Sequence, residues 1–390
     1  MYSSALLALL PAAALALTQR SDPAPLLGPG DNATVIPGKY IVKFRDGVST
    51  SSVQSTVGAL AANADHVFEE GFMGFAGHLD EAALQAVRNH GDVEYIEKDV
   101  EISINNCYIQ RTAPWGLGRI GNPKRGIRSY VFGRGAGEGT CTYVIDTGID
   151  DRHPEFQGRA KQLKSFVSGQ DTDGQGHGTH CAGIVGSKTY GVAKKTRLFG
   201  VKALNNHGTG SLSLIVAAMQ FVRQDMRRQR CPKGVVVSLS LGGPISRASN
   251  EAANALVSAG AFVAVAAGND HRDASAVSPA SAEHVCAVGA SDQNDVTAKF
   301  SNFGKAVAVY APGVNIMSTI PGGRTGVFSG TSQATPHVAG LAAYLMSKER
   351  IRGSQMCKRI KDISQKNLLR QVPRHTTNRL AFTGGPRACV

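Results

Sequence analysis

Beyond its N-terminus, the chain has no apolar run long enough for a transmembrane helix, and it has neither an internal repeat nor a low-complexity tract. It also has no basic helix with interleaved aromatic residues and no nucleic-acid motif. These absences argue against a membrane protein, a repeat array and a nucleic-acid partner. The chain has 390 residues, of which 42% are hydrophobic and 45 are glycine. This composition is typical of a globular α/β protein with tight loops.

The N-terminus carries an apolar run over residues 5–17 that is too short to span a bilayer comfortably. It ends in the small-residue pattern Ala14-Leu15-Ala16, which predicts a signal peptide over residues 1–17 and a secreted, extracellular protein. The alternative is a membrane anchor. Pro11 interrupts the run and no basic flank follows it, which favours the signal peptide, while residues 1–4 lack the usual Lys or Arg.

The next segment is rich in proline, glycine and aspartate, and this composition predicts a linker over residues 18–38. It contains the only N-glycosylation sequon, so Asn32 is a candidate glycosylation site. Secretion also permits disulfides. The seven cysteines, at positions 107, 141, 181, 231, 286, 357 and 389, are an odd number, so at least one lacks an intrachain partner.

Charge is distributed unevenly along the chain. Residues 1–104 carry 6 basic and 13 acidic side chains, a net of −7, whereas the remainder carries 36 basic and 16 acidic side chains, a net of +20. Electrostatic complementarity between two parts that bind each other explains this split, and so does adhesion of the basic part to an anionic surface. Nucleic-acid binding is the least favoured explanation of the uneven charge. A basic surface that is simply solvated accounts for much of the excess of positive charge.

Residues 39–104 predict a small compact unit. Strand-like stretches at 40–44, 70–79 and 93–96 lie on either side of helical stretches at 51–63 and 80–87, the second of which starts with an N-cap-like aspartate. Such an order predicts a small open α+β sheet with helices on one face, a ferredoxin-like arrangement.

From about residue 112 the pattern becomes an alternation of buried strands and helices. Strand-like stretches are at 141–145, 197–204, 234–241, 261–267 and 285–290, and helical stretches are at 177–186, 212–228, 249–259 and 331–346. Several strands are apolar at both odd and even positions, as strands buried on both faces should be. The pattern therefore predicts a mostly parallel sheet covered by helices on both faces. The stretch after residue 347 is strongly basic and has no clear assignment.

Two of these elements begin or end in motifs that suggest chemistry. Asp146 ends a buried strand in Val-Ile-Asp-Thr-Gly, at the strand end where functional residues gather in parallel sheets, although Asp before Thr-Gly also caps turns. His177 starts a helix in the glycine-rich sequence Gly-His-Gly-Thr-His-Cys-Ala-Gly. A metal site formed with His180 and Cys181 is disfavoured, because further ligands at a typical spacing are absent and no glutamate follows as in His-Glu-x-x-His.

A third motif is Gly-Thr-Ser-Gln-Ala-Thr-Pro-His-Val-Ala-Gly at 330–340. Ser332 falls at a helix N-terminus, where the helix dipole would stabilise a developing anion, and a plain N-cap is the alternative. The three motifs occur in the order Asp, His, Ser. A serine hydroxyl needs a base, and the base needs an orienting group, so Asp146, His177 and Ser332 are predicted to act together as a catalytic triad.

These motifs, with Ser-Leu-Gly-Gly at 240–243, Ala-Ala-Gly-Asn at 266–269 and Ala-Pro-Trp-Gly-Leu at 113–117, resemble the subtilisin-like serine proteases of the fungal proteinase K group. The resemblance covers about residues 39–365. It implies a three-layer α/β subtilisin-like peptidase domain over residues 106–390, preceded by an inhibitor propeptide over residues 39–105. It also implies a serine endopeptidase of broad specificity that acts on proteins and peptides as a monomer.

The resemblance also implies site residues. Asn269 matches the oxyanion-hole asparagine, a position that would otherwise suggest a turn residue after a strand. Residues 240–243 and 208–212 match the two substrate-binding edges. Residues 240–243 together with 266–268 would line the primary specificity pocket, and apolar or aromatic residues before the scissile bond are expected. The implied substrate-binding residues are Gly208, Gly210, Leu212, Ser240, Leu241, Gly242, Gly243, Ala266 and Gly268.

By the same resemblance, the acidic propeptide would chaperone folding, block the active-site cleft and be removed by self-cleavage near residues 104–107. Two disulfides are implied, Cys141 with Cys231 and Cys286 with Cys357, and Cys181 would be a free buried cysteine beneath His177. Cys107 and Cys389 match nothing in the family, although they could tie the two termini together.

Two departures from the family pattern stand out. Gln333 replaces the usual methionine after the nucleophile, and Ala308 stands where an aspartate ligand of calcium is expected. Backbone oxygens near Glu283 and Val285 would remain, but calcium prefers carboxylates, so no cofactor is required and calcium binding is weakened. Two alternative functions remain. The first is a non-enzymatic relative that binds surfaces, and the complete triad with Asn269 argues against it. The second is a metallohydrolase that uses His177 and His180.

Overall fold

A computed structural model describes residues 21–29, 33–59, 63–102 and 107–385, which fall into two compact units with their boundary between Ile104 and Asn105. The predicted signal peptide, Asn32 and Cys389 lie outside the described residues, as do residues 104–106 of the cleavage region predicted near residues 104–107. Within the described ranges, no helix is both long and apolar enough to cross a membrane.

The N-terminal unit is a five-stranded sheet with two helices. Its order is β1-β5-β2-β4-β3, antiparallel except for the β1–β5 pair. The core is apolar and joins both helices to the sheet through side chains such as Val53, Leu84, Phe44 and Ile96. The elements are β1 Leu26–Leu27, β2 Val35–Phe44, α1 Thr50–Ala59, β3 Asn63–Phe68, β4 Gly74–His78, α2 Glu81–Arg88 and β5 Val93–Val100.

The predicted α+β arrangement is thus present, with shifted boundaries. Asp80 caps α2 as its sequence position suggests, accepting from the Ala83 amide at 2.8 Å. The helix predicted over 51–63 ends at Ala59, and β3 begins at Asn63 where helix was expected. The segment predicted as a linker over 18–38 contributes β1 and the start of β2, because Ala24 and Leu26 pack on the core of this unit.

The C-terminal unit contains the larger sheet. Its helices are α3 Trp115–Gly121, α4 His177–Gly186, α5 Leu212–Asp225, α6 Arg247–Ser258, α7 Thr331–Lys348 and α8 Gly353–Ile363. Its strands are β6 Cys107–Gln110, β7 Tyr130–Gly133, β8 Thr140–Asp146, β9 Ala160–Ser165, β10 Arg197–Lys202, β11 Gly234–Leu239, β12 Gly243–Pro244, β13 Phe262–Ala266, β14 Val277–Ser278, β15 Cys286–Ser291, β16 Val307–Pro312, β17 Ile316–Ile320, β18 Arg324–Phe328, β19 Gln365–Lys366 and β20 Arg379–Leu380.

The main sheet has nine strands in the order β19-β20-β16-β15-β13-β11-β8-β10-β9. Every neighbouring pair is parallel except β19–β20 at one edge, which confirms the predicted mostly parallel sheet. The strand β8 shows why its sequence is apolar on both parities. Its residues Tyr143 and Ile145 pack in the core with α5 and α6, whereas Val144 packs in the opposite core with α4 and α7.

Sequence reasoning missed elements at the edges and in the C-terminal stretch. The strand β9 is an edge strand with exposed and half-buried polar residues, so it lacks the apolar signal of the central strands. The basic stretch after residue 347 folds as α8, β19 and β20, and buries Met356 and Ile360 against the core.

Candidate active site

Asp146 lies at the carboxyl end of the central strand β8 and is completely buried. Its Oδ1 accepts a hydrogen bond from the Thr147 amide at 2.7 Å and another from His177 Nδ1 at 2.8 Å. Gly148 follows in the left-handed region at φ +104°, which lets the chain turn away directly after the strand. The end of the strand therefore presents one carboxylate oxygen to the histidine ring.

His177 is the first residue of α4, as its motif predicts, and its side chain is 22% exposed. The helix start lies very close to the turn after β8. A Cβ on Gly178 would stand 2.1 Å from the Gly148 carbonyl oxygen and 3.1 Å from Asp146 Cβ, so only glycine fits there. This glycine is what allows His177 and Asp146 to come within hydrogen-bond distance.

The surroundings of His177 change its acidity. Burial disfavours its positive charge, but the neighbouring Asp146 carboxylate outweighs burial and raises the pKa of His177 well above the ordinary 6.5. His177 must be neutral to accept a proton, so its capacity to act as a base grows as pH rises through this elevated pKa.

Ser332 is the second residue of α7 and is half-buried. Its Oγ donates to the Ser240 carbonyl at 3.0 Å, and its own carbonyl accepts from Ser240 Oγ at 2.8 Å and from Cys181 Sγ at 3.4 Å. Ser332 lies in the first turn of α7, and the N-terminal end of a helix favours negative charge.

Asn269 follows β13 and approaches the start of α7. Its Oδ1 accepts from the Thr331 amide at 2.8 Å and from Thr331 Oγ1 at 2.9 Å, which fixes the amide plane. Its Nδ2 has no hydrogen-bond partner among the described residues. A Cβ on Gly330 would stand 3.5 Å from both Asn269 Nδ2 and the Ser332 amide nitrogen. Two N–H donors therefore flank one small space beside Ser332.

A buried carboxylate that the sequence analysis left without a role supports the site from behind. Asp173 accepts five hydrogen bonds of 2.6–3.1 Å, from Thr147 Oγ1, the Gln175 and Gly176 amides, and the amide and hydroxyl of Thr179. These bonds join the turn after Asp146 to the first turn of α4. The position of Asp173, four residues before His177 and next to its glycine-rich motif, was the available signal.

Lys202 is a second supporting residue that the sequence analysis missed. It is fully buried at the end of β10, and its Nζ donates to the Thr147 carbonyl at 2.6 Å and to Asn206 Oδ1 at 2.9 Å. A lysine directly after the apolar stretch at 198–201 was the sequence signal. Burial lowers the pKa of Lys202, and the nearby carboxylates of Asp173 and Asp146 oppose this shift.

His177 and Ser332 line one open cavity of about 500 Å³. Of the predicted binding residues, Gly208, Gly210, Ser240, Leu241 and Gly242 also line it. Leu212 and Gly243 line an adjoining cavity of about 350 Å³. Ala266 and Gly268 are outside both linings, at and after the end of β13. The 500 Å³ cavity has six further lining residues that were not predicted to bind substrate, namely Thr147, Gln175, Leu204, His207, Thr209 and Ile215.

One group of side chains near the active site has the residue types of a metal site. Ligand atoms of Asp146, His177 and Cys181 lie within 4.8 Å of one another. The thiol of Cys181 is buried, lies 4.0 Å from His177 Nδ1 as expected for a cysteine beneath the ring, and has its pKa raised by burial. His180 instead points its Nε2 at the Ile316 and Gly326 carbonyls, at 3.0 and 3.2 Å, so it faces away from this group.

The expected calcium position does not suit a cation. Ala308 is half-buried in β16 and offers only a methyl group. The adjoining cavity is lined by Lys305, Lys361 and Arg379. Its nearby carboxylate Asp362 is occupied by Lys358 at 2.6 Å, and this hydrogen bond lowers the pKa of Asp362. Calcium needs several oxygen ligands, and a site whose basic side chains outnumber its free carboxylates does not fit it.

Comparison with known proteins places this geometry in a family. Residues 137–387 match the subtilase family, and residues 39–105 match the peptidase inhibitor I9 family. The chain belongs to the subtilase family. It is a subtilisin-like serine endopeptidase with an inhibitor propeptide.

Individual relatives agree with this assignment. The subtilase is 51% identical to a cuticle-degrading protease of Metarhizium anisopliae over 388 residues, covering 98% of this chain and 100% of the relative. It is 48% identical to proteinase R of Parengyodontium album over 372 residues, covering 95% of each chain. The crystal structure of a cold adapted subtilisin-like serine proteinase matches 70% of this chain and 98% of its own, with 36% identity and a TM-score of 0.66.

Two disulfides brace the subtilase domain, with the pairing that the resemblance implied. Cys141 in β8 bonds to Cys231, and Cys286 in β15 bonds to Cys357 in α8. The Cα atoms of each pair are 5.6 Å apart. The first disulfide lies on the strand that ends at Asp146. Cys107 is exposed and has no disulfide partner among the described residues.

Proposed function

We propose that the chain is a secreted, self-processing zymogen whose mature domain hydrolyses peptide bonds through an acyl-enzyme on Ser332. The supporting observation is the 2.8 Å hydrogen bond from His177 Nδ1 to buried Asp146, with His177 and Ser332 on the same cavity. The N-terminal apolar run and the two disulfides support secretion.

In this mechanism the Ser332 hydroxyl leaves its hydrogen bond to the Ser240 carbonyl and turns toward His177 Nε2 as the substrate binds. His177 takes the proton while Oγ attacks the scissile carbonyl carbon, and it then gives that proton to the leaving amine. Water, activated by the same ring, hydrolyses the ester. Asp146 holds the Nδ1–H tautomer throughout, so that Nε2 is the atom free to accept a proton.

The oxyanion that forms would lie between Asn269 Nδ2 and the Ser332 amide. Both donors are fixed before the substrate arrives, Asn269 by its two bonds to Thr331 and the amide by the start of α7. Donors that are fixed in advance need no reorganisation when charge develops, which is why they stabilise the transition state more than the ground state.

Asn269→Ala is expected to lower kcat by roughly two to three orders of magnitude with little change in KM, because the lost donor acts only on the developing charge. Steady-state kinetics on a chromogenic peptide measure both values. Asn294→Ala, at an exposed asparagine outside the cavity, is the matched control. A raised KM with unchanged kcat would show that Asn269 binds the substrate instead.

We propose that substrates bind by adding a strand between two edges of the cavity. The backbone N–H and C=O groups of Gly210, Leu241 and Gly242 make no hydrogen bond within the described part of the chain, so they are free to pair with an extended peptide. Pairing through the main chain reads little side-chain identity, which gives broad specificity. The adjoining cavity is lined by Leu212, Leu241 and Ile245, which favours apolar side chains.

Incubation of the purified mature protein with a peptide library is the test of this function. Internal cleavage at sites with apolar or aromatic residues before the scissile bond is expected. Pretreatment with a fluorophosphonate should abolish it and label Ser332, whereas a chelator should leave it unchanged. Cleavage that survives the fluorophosphonate and stops with the chelator would indicate a metallohydrolase. Cleavage only at chain ends would exclude an endopeptidase.

The acidic N-terminal part would serve as a temporary inhibitor and folding chaperone. Residues 1–104 carry a net of −7 and the remainder a net of +20, so the two parts attract each other. Self-cleavage near residue 105 would then release the mature domain.

A further inference from the structure

A cavity of about 800 Å³ in the peptidase unit is lined by Ala308 and shares no lining residue with the cavity of His177 and Ser332. Its cations come from three separate elements. Lys305 lies two residues before β16, Lys361 is on α8, and Arg379 is on β20, which pairs with β16 near the edge of the main sheet. An ion held by all three would therefore tie this edge of the sheet to α8.

The charges in this basic pocket do not cancel internally. Lys358 and Asp362 form an ion pair, and this leaves Glu283 as the one remaining carboxylate of the lining. Lys305, Lys361 and Arg379 have no ion pair within the described residues, and the Arg379 Nη1 donates only to the Lys361 carbonyl. The four basic and two acidic side chains of the lining leave a net charge of +2 in this open cavity.

Lysine ammonium and arginine guanidinium groups that converge from different elements are the groups that bind phosphate and sulfate oxygens. We propose that the basic pocket binds a multivalent oxyanion of the phosphate or sulfate class. The bound anion would contact Lys305 before β16, Lys361 on α8 and Arg379 on β20. Its contacts with these three side chains would hold this edge of the sheet against α8.

The test uses the full chain carrying Ser332→Ala, which cannot digest itself. Binding of inorganic phosphate is measured by isothermal titration calorimetry and by the rise in Tm, against sodium chloride at equal ionic strength, in chelator-treated buffer. Phosphate should raise Tm and chloride should not. Lys361→Gln and Lys305→Gln should each weaken the Kd about tenfold, because each removes a charge-assisted hydrogen bond.

Two controls separate the pocket from general basicity. Lys161→Gln removes an exposed lysine on β9, at the opposite edge of the sheet, and should leave the Kd within about twofold of the parent. Ala308→Asp places a carboxylate beside the pocket and should weaken phosphate binding, whereas Ala308→Asn adds a similar volume without charge and should not.

The proposal is overturned if phosphate stabilises no more than chloride, or if Lys361→Gln and Lys161→Gln bind phosphate equally. It is also overturned if calcium raises the Tm of the parent and phosphate does not. Dextran sulfate distinguishes the source of the anion. If dextran sulfate displaces phosphate from the parent protein, the natural ligand is an oxyanion carried on a polymer. If phosphate binding is unaffected by dextran sulfate, the natural ligand is a free oxyanion.

Discussion

Replacing Ser332 with alanine is expected to lower kcat for peptide hydrolysis by roughly 10⁶-fold, the loss known for a serine nucleophile of this type. The residual rate would come from substrate binding and from the oxyanion donors, which the variant keeps. Because the proposed maturation is self-cleavage, the variant should also accumulate as the uncleaved chain. Kinetics on a chromogenic peptide and intact-mass measurement of the secreted protein check the two expectations.

Ser329→Ala is the matched control for this experiment. Ser329 is exposed, lies three residues before the nucleophile, and its Oγ accepts from the Asn315 amide at 2.8 Å without lining the cavity. It should hydrolyse the peptide and mature at the normal rate. A Ser332→Ala protein that matures and hydrolyses peptides normally would show that the acyl-enzyme forms elsewhere or not at all.

Replacing Asp146 with asparagine is expected to lower kcat by roughly 10⁴-fold at neutral pH while KM stays nearly constant. Asp146 is completely buried and does not line the cavity, so its removal leaves the substrate contacts in place. The asparagine amide would face His177 Nδ1 as a donor and favour the tautomer with its proton on Nε2. That tautomer cannot accept the Ser332 proton.

The pH profile provides a second readout of the same change. In the wild-type protein kcat/KM should rise with pH through a midpoint above 6.5, because the Asp146 carboxylate raises the pKa of His177 in the unliganded enzyme and only the neutral ring is a base. Without the carboxylate, that midpoint should move to lower pH. Asp171→Asn, at an exposed aspartate six residues before His177, should change neither kcat nor the midpoint. An unshifted midpoint in Asp146→Asn would contradict the coupling.

The sequence predicted the centre of the fold better than its margins. Strands such as β8 and β13 are buried on both faces, so their composition alone distinguishes them from their surroundings. Edge strand β9 and the short pair β19–β20 depend on their neighbours in the sheet and carry no strong pattern. In the C-terminal α8, Met356 and Ile360 are buried one helical turn apart, which is a helical signal, but the strongly basic composition around them left this stretch without an assignment.

The same contrast holds for the site. Asp146, His177, Ser332 and Asn269 lie in short glycine-rich motifs, and the structure brings them to one end of the sheet. Gln333, which departs from the family pattern, is buried behind Ser332, and its Nε2 has no partner in the described part of the chain. Supporting contacts such as Lys202 to the Thr147 carbonyl depend on tertiary folding, and local sequence does not encode them.

The hydrogen bonds to Asp173 have a consequence for how the sequence can vary. Three of its five donors are main-chain amides, which substitutions other than proline leave intact, and the other two are hydroxyls on separate elements. Loss of either threonine hydroxyl leaves four bonds, so the support is redundant on the donor side. It has no redundancy on the acceptor side. Substitution at Gln175 or Thr179 would therefore leave most of this support in place, whereas replacement of Asp173 would remove all five hydrogen bonds at once.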